Sequence, residues 1–145
     1  MKGKTTSTLL SIIRSSKNLD DMQNKMDGAM INPKATEYLK NLLEASGLSA
    51  PDLAREALLD RSYTYQLLNG IRTPNRNVLL RFAFILRLNL EDTQRLLTLF
   101  QKSSLYPRLL RDAVIIFSLE KKYSLTDTNE LLLSIGEAPL FFEEV

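Results

Sequence analysis

The chain has no cysteine and no histidine. Without thiols there is no disulfide framework and no thiol nucleophile, and without imidazoles no histidine base and no zinc site of the usual ligands. No apolar run approaches the roughly 18–20 residues that a membrane span needs. The segment from Met1 to Ile13 has too short an apolar core, and no small-residue cleavage site, for a secretory leader. A cytoplasmic location with no membrane partner is the expectation that follows. Glycine and proline number five each, and none of the glycines builds a phosphate-cradling loop. The acidic pairs Asp20-Asp21 and Glu143-Glu144 sit side by side rather than facing, which suits solvated surface and not acid–base catalysis. No enzyme activity, no cofactor and no metal are expected.

Alternating apolar and polar residues, the mark of a half-buried strand, are also nearly missing. Apolar residues recur instead at three and four, and the few Pro and Gly fall between periodic segments, so the expected fold is all-α. A chain of 145 residues is long enough for one real core. Its net charge of only +2 is unevenly spread. Residues 49–89 carry six Lys/Arg against three Asp/Glu, whereas residues 90–145 carry six against nine. A basic middle beside an acidic end suits a protein that meets phosphate with one face and something else with another.

Along the chain, Leu9, Leu10, Ile12 and Ile13 suggest one short helix, and Met22, Met26 and Met30 a second that Asn32-Pro33 stops. This arm, residues 1–35, is expected to lie on its own core or on a partner subunit. Tyr38, Leu39, Leu42 and Leu43 mark a helix over 36–46, closed by Gly47. Ser49 caps the next helix, with Pro51 in its first turn, and Asp60 caps the third, which Asn69-Gly70 ends. A fourth helix is expected over 75–87 and a fifth over 91–101. Residues 76–106 then reappear 35 positions later as residues 111–141. Arg76 matches Arg111, Leu90-x-Asp92-Thr93 matches Leu125-x-Asp127-Thr128, and Leu105-Tyr106 matches Leu140-Phe141. Such a period fits a two-helix unit stacked on a copy of itself, so residues 102–145 are expected to form a helical hairpin docked on the module at 36–101.

The third helix of that module carries the most distinctive pattern. At 100° per residue, Thr64, Leu67, Leu68 and Ile71 share one side, and Ser62, Gln66 and Asn69 the other. Tyr63 and Tyr65 flank this polar ridge, either as base contacts or as packing residues. Hydroxyl, carboxamide and phenol groups on an outward edge suit the edges of DNA bases, where Gln engages adenine in bidentate fashion. Arg61 sits at the helix start. Arg72, Asn75 and Arg76 lie in the following loop and helix start, and Ser49 at the start of the preceding helix, all placed for phosphate, which fixes register without reading sequence.

Taken in order, Leu48-Ser49-x-x-Asp52-Leu53-Ala54, Leu59-Asp60-Arg61-Ser62-Tyr63-x-x-Gln66-Leu67, Asn69-Gly70-x-Arg72-x-Pro74 and Leu79-Leu80-x-x-Ala83 resemble the Cro/repressor-type, or XRE-like, helix-turn-helix family over residues 36–101. The resemblance implies a five-helix, lambda-repressor-like domain that binds an operator as a two-fold dimer, third helix in the major groove. It implies that Arg61, Ser62, Tyr63 and Gln66 approach bases, and that Asn69, Arg72 and Arg76 approach phosphate. The tail is similar to an extension on some family members of Gram-positive bacteria. The chain departs from the family at Ala50, where many members have a phosphate-bonding Gln, at Leu58 in place of the turn Gly, at Leu68 in place of an acidic residue, and at Ile71 in place of a basic one.

Two functions therefore stand open. One is a transcriptional regulator, most simply a repressor, whose partners are double-stranded DNA and a second copy of the chain. The other is a protein-interaction adaptor or neutraliser, with DNA binding weak or lost, that meets a protein partner through the hairpin or the arm. Leu68, Ile71, Phe141 and Phe142 would form its apolar contact surface.

Overall fold

A computed structural model describes residues 6–19, 22 and 33–142. Contacts divide the chain into two compact units, Met1–Pro33 and Lys34–Val145. In the first, α1 (Thr6–Ser15) ends where the Ser15 and Ser16 hydroxyls both donate to the Ile12 carbonyl. Those local bonds compete with the next helical turn. The second helix expected around Met22, Met26 and Met30 falls, apart from Met22, outside the described residues, as do the acidic pairs at 20–21 and 143–144.

The described part of the second unit is all helical. Helix α2 (Pro33–Ser46) buries Ala35 and Leu39 and gives way at Gly47, whose φ of +78° a side chain would resist. Helix α3 (Ala50–Glu56) opens with a capping box, in which the Ser49 hydroxyl accepts from Asp52 N–H and the Asp52 carboxylate accepts from Ser49 N–H. Asp60 caps α4 (Arg61–Leu68), Asn75 caps α5 (Arg76–Ile85) and Asn89 caps α6 (Leu90–Leu99). Helix α7 (Leu110–Glu120) starts without a side-chain cap, and Ser124 caps α8 (Leu125–Ser134).

Helices α3–α4, α5–α6 and α7–α8 are three hairpins with one turn. Each turn places a non-glycine residue in the left-handed region, Leu58 (φ 60°), Arg87 (φ 56°) and Lys122 (φ 59°), two positions before the next cap. Each is closed by the same backbone bond at 2.9 Å, from Leu59 N–H to Ala54 C=O, Leu88 to Ala83 and Tyr123 to Ser118. The acceptors are small and buried, which lets the two helices approach closely. Four residues after each cap stands a fully buried threonine, Thr64, Thr93 or Thr128, whose hydroxyl donates to the capping residue's carbonyl.

The second and third hairpins account for the 35-residue echo. Gln94 clasps Leu105, donating to its carbonyl and accepting from its N–H at 2.6 Å, and its counterpart Asn129 clasps Leu140 and Phe141 in the same way. A single apolar core runs through the hairpins, from Leu39, Leu53 and Leu67 through Leu79, Leu80 and Phe82 to Ile115, Leu132 and Phe141.

Candidate nucleic-acid interface

Asp60 begins α4 by accepting the Tyr63 N–H, and Thr64, Leu67 and Leu68 bury one side of the helix in the core. That anchorage leaves Arg61, Ser62, Tyr65 and Asn69 exposed, with Gln66 half-buried along the same edge. Tyr63 packs partly against the core and so serves as a support for that edge. Leu140 and Phe141 are held by Asn129, by the Arg81 guanidinium donating to Leu140 C=O, and by its position 5.6 Å above the Phe141 ring. Burial lowers the pKa of that guanidinium from its usual range, and Tyr63 opposes the shift.

The segment after α4 does not continue its helical phase. Gly70 takes a φ of 75°, and the N–H groups of Ile71 and Arg72 both return to the Gln66 carbonyl. Ile71, expected on the buried side, is therefore 67% exposed, because it lies past the end of the helix. Arg72 is exposed beside it. Asn75 is exposed too, and its carbonyl oxygen is committed to Val78 N–H, which leaves the amide donors uncommitted. At the start of α3, Ser49 is exposed with its hydroxyl proton still available. The Ser49 hydroxyl and N–H, then Arg55, hold the Asp52 carboxyl below its usual range.

Arg76 corrects an expectation. Rather than facing phosphate, its guanidinium forms a bidentate pair with the buried carboxylate of Asp112, at 3.1 and 2.9 Å, and donates to the carbonyls of Ser103 and Ser104. Burial would raise the Asp112 carboxyl, but the bonds from Arg76 and from Tyr106 N–H hold it below the usual carboxylate range. Arg111, the echo of Arg76, likewise donates to Ala138 and Pro139 carbonyls and to Asn77. The sequence signal for this pairing was the echo itself, which aligned the two arginines without revealing their acceptors.

The apolar contact surface needs correction as well. Leu68 and Phe141 are 5% and 4% exposed, part of the core, because α4 turns Leu68 inward and Asn129 draws Phe141 in. Only Ile71 and Phe142 of that set are on the surface.

Residues 36–96 match the family model of a helix-turn-helix domain. The match runs from α2 into α6 and contains the α3–α4 hairpin whole, so this all-α part of the chain is similar to a helix-turn-helix domain. No curated protein and no solved structure matches the chain. No described helix is long and apolar enough to cross a membrane.

Proposed function

We propose that the chain is a sequence-specific DNA-binding transcriptional regulator of the Cro/repressor, XRE-like kind, a cytoplasmic repressor without catalytic role that occupies a pseudo-palindromic operator as a two-fold dimer. The observation that carries this reading is the open polar edge of α4, with Ser62 and Asn69 exposed and Gln66 half-buried on the second helix of a short-turn pair. Such a helix enters the major groove with its first residues at base edges. Arg61, Ser62, Tyr65 and Gln66 then read bases, with Tyr63 behind them, while Ser49, Asn69, Arg72 and Asn75 hold phosphate. Selection of bound sequences from a random DNA pool, beside a mass measurement in solution, tests the proposal. The expected result is a two-fold consensus with half-sites about 34–36 Å apart and a dimeric mass.

A second reading is favoured by the exposure of Ile71 and Phe142, 67% and 84%, on a chain whose last third is acidic. In it the helix-turn-helix scaffold serves as an adaptor for another protein. Failure of the full chain to be retained on heparin or nonspecific duplex at any ionic strength selects this reading over the first.

A further inference from the structure

We infer that the loop between α6 and α7 is a second phosphate-binding segment, in which Lys102 and Arg108, with the Ser103 and Ser104 hydroxyls, extend the DNA footprint beyond the α4–α5 loop. The inference rests on the DNA-binding reading above and adds binding residues that neither the sequence pattern nor the family match assigns. Three ties fix where this loop lies. Arg76, the first residue of α5, donates to Ser103 C=O at 3.0 Å and to Ser104 C=O at 3.2 Å, and Asp112 joins Arg76 to Tyr106 N–H. The loop is thus bound to the residue that directly follows Asn75, at the end of the loop that carries Arg72.

The two loops also repeat one geometry. After α4, Gly70 (φ 75°) is followed by the bond from Ile71 N–H to Gln66 C=O; after α6, Gln101 (φ 59°) is followed by the bond from Lys102 N–H to Leu97 C=O, both at 2.9 Å. Lys102 therefore stands where the first loop has the uncharged Ile71. After α8 the same place, closed by the bond from Glu137 N–H to Leu132 C=O, is taken by Glu137, so of the three loops only the second has a cation there. Ser103, Ser104 and Arg108 are exposed, and Lys102 is half-exposed. Lys102 and Arg108 belong to neither of the ion pairs Arg55–Asp52 and Arg76–Asp112. Cations in that state release counterions when they meet a duplex, which presents a negative charge about every 1.7 Å of its axis. Arg76 gives up its own phosphate contact and holds in place a loop that offers two.

The test is the salt dependence of DNA binding by the full chain, on a nonspecific duplex and on a selected operator. Variants are Lys102→Ala with Arg108→Ala, the charge-keeping pair Lys102→Arg with Arg108→Lys, Arg72→Ala, and Lys121→Ala on the α7–α8 turn as a charge control. Each lost contact should remove about 0.9 from the slope of log K against log salt. The double alanine variant should lose about twice that, equally on both duplexes, and the charge-keeping pair should restore it, with circular dichroism unchanged throughout. A wild-type slope in the double alanine variant, while Arg72→Ala lowers it, overturns the inference and leaves the DNA-binding reading standing. An equal drop in Lys121→Ala also overturns it, since the effect would then be net charge alone. No duplex binding by the unaltered chain removes both.

Discussion

Gln66 and Arg72 lie six residues apart, yet their losses should differ in kind. Gln66→Ala is expected to cost on the order of 1–3 kcal/mol at one base-pair position and little elsewhere, whereas Arg72→Ala should weaken all sequences alike. Titration of single-position operator variants separates the two. Asp112 sets a different expectation. Its folded-state pKa is held below the unfolded value of about 3.9, so its stabilising effect is present above that pH and is lost as pH falls through the folded pKa. Between pH 5 and pH 3 the urea midpoint of the unaltered chain should therefore fall more steeply than that of Asp112→Asn. At neutral pH, Asp112→Ala should cost roughly 3–5 kcal/mol, because Arg76 is left without its counter-charge. At this scale the sequence was legible where the cause was local. The caps Ser49 and Asp60 and the inward Leu67 follow from neighbours along one helix. The fate of Arg76 depends on a carboxylate 36 residues on, which no helical periodicity can reveal.

Among the elements, the turn shared by the three hairpins is the most informative. Leu58, Arg87 and Lys122 all hold the left-handed conformation, at about 1–2 kcal/mol each for a side chain. Leu58→Gly removes that strain and adds unfolded-chain entropy of about 0.5–1 kcal/mol, so a net gain of up to about 1 kcal/mol is expected. Leu58→Pro, which fixes φ near −65°, should cost about 3 kcal/mol or more. Thermal melts of both variants check the pair, and a melting temperature for Leu58→Gly well below that of the unaltered chain would refute the strain argument. Sequence periodicity placed the helices well but not their relation. Its 35-residue echo captured α5–α6 and α7–α8 and missed α3–α4, because α4 is shorter than α6, α5 shorter than α7, and the α4–α5 loop shorter than the α6–α7 loop, which together break the period. The sign was present in the cap followed by threonine, Asp60 with Thr64, Asn89 with Thr93 and Ser124 with Thr128, a spacing that survives the shorter helix.

Across the unit that begins at Lys34, the hairpins share one continuous core, so none has a separate interior to retain on its own. Its urea unfolding should accordingly follow one transition, coincident by far-ultraviolet circular dichroism and by tyrosine fluorescence. Two separated transitions would mean that the last hairpin unfolds by itself. The all-helical class and the order of the helices were legible at this scale from apolar spacing alone. The inward position of Phe141 was not, since it is set by hydrogen bonds to Asn129 and by the Arg81 guanidinium across the fold.

The pairing of Arg76 with Asp112 also bears on the order in which a growing polypeptide takes shape. At translation speeds of about 5–20 residues per second, the carboxylate leaves the ribosome roughly two to seven seconds after the guanidinium that it will neutralise. For that interval Arg76 has no carboxylate partner, and the helices made before Asp112 lack part of the single core that they share with the last hairpin. Arrival of Asp112 pairs that arginine, whose bonds to the Ser103 and Ser104 carbonyls then tie the α6–α7 loop to the start of α5, so the loop takes its place late in folding.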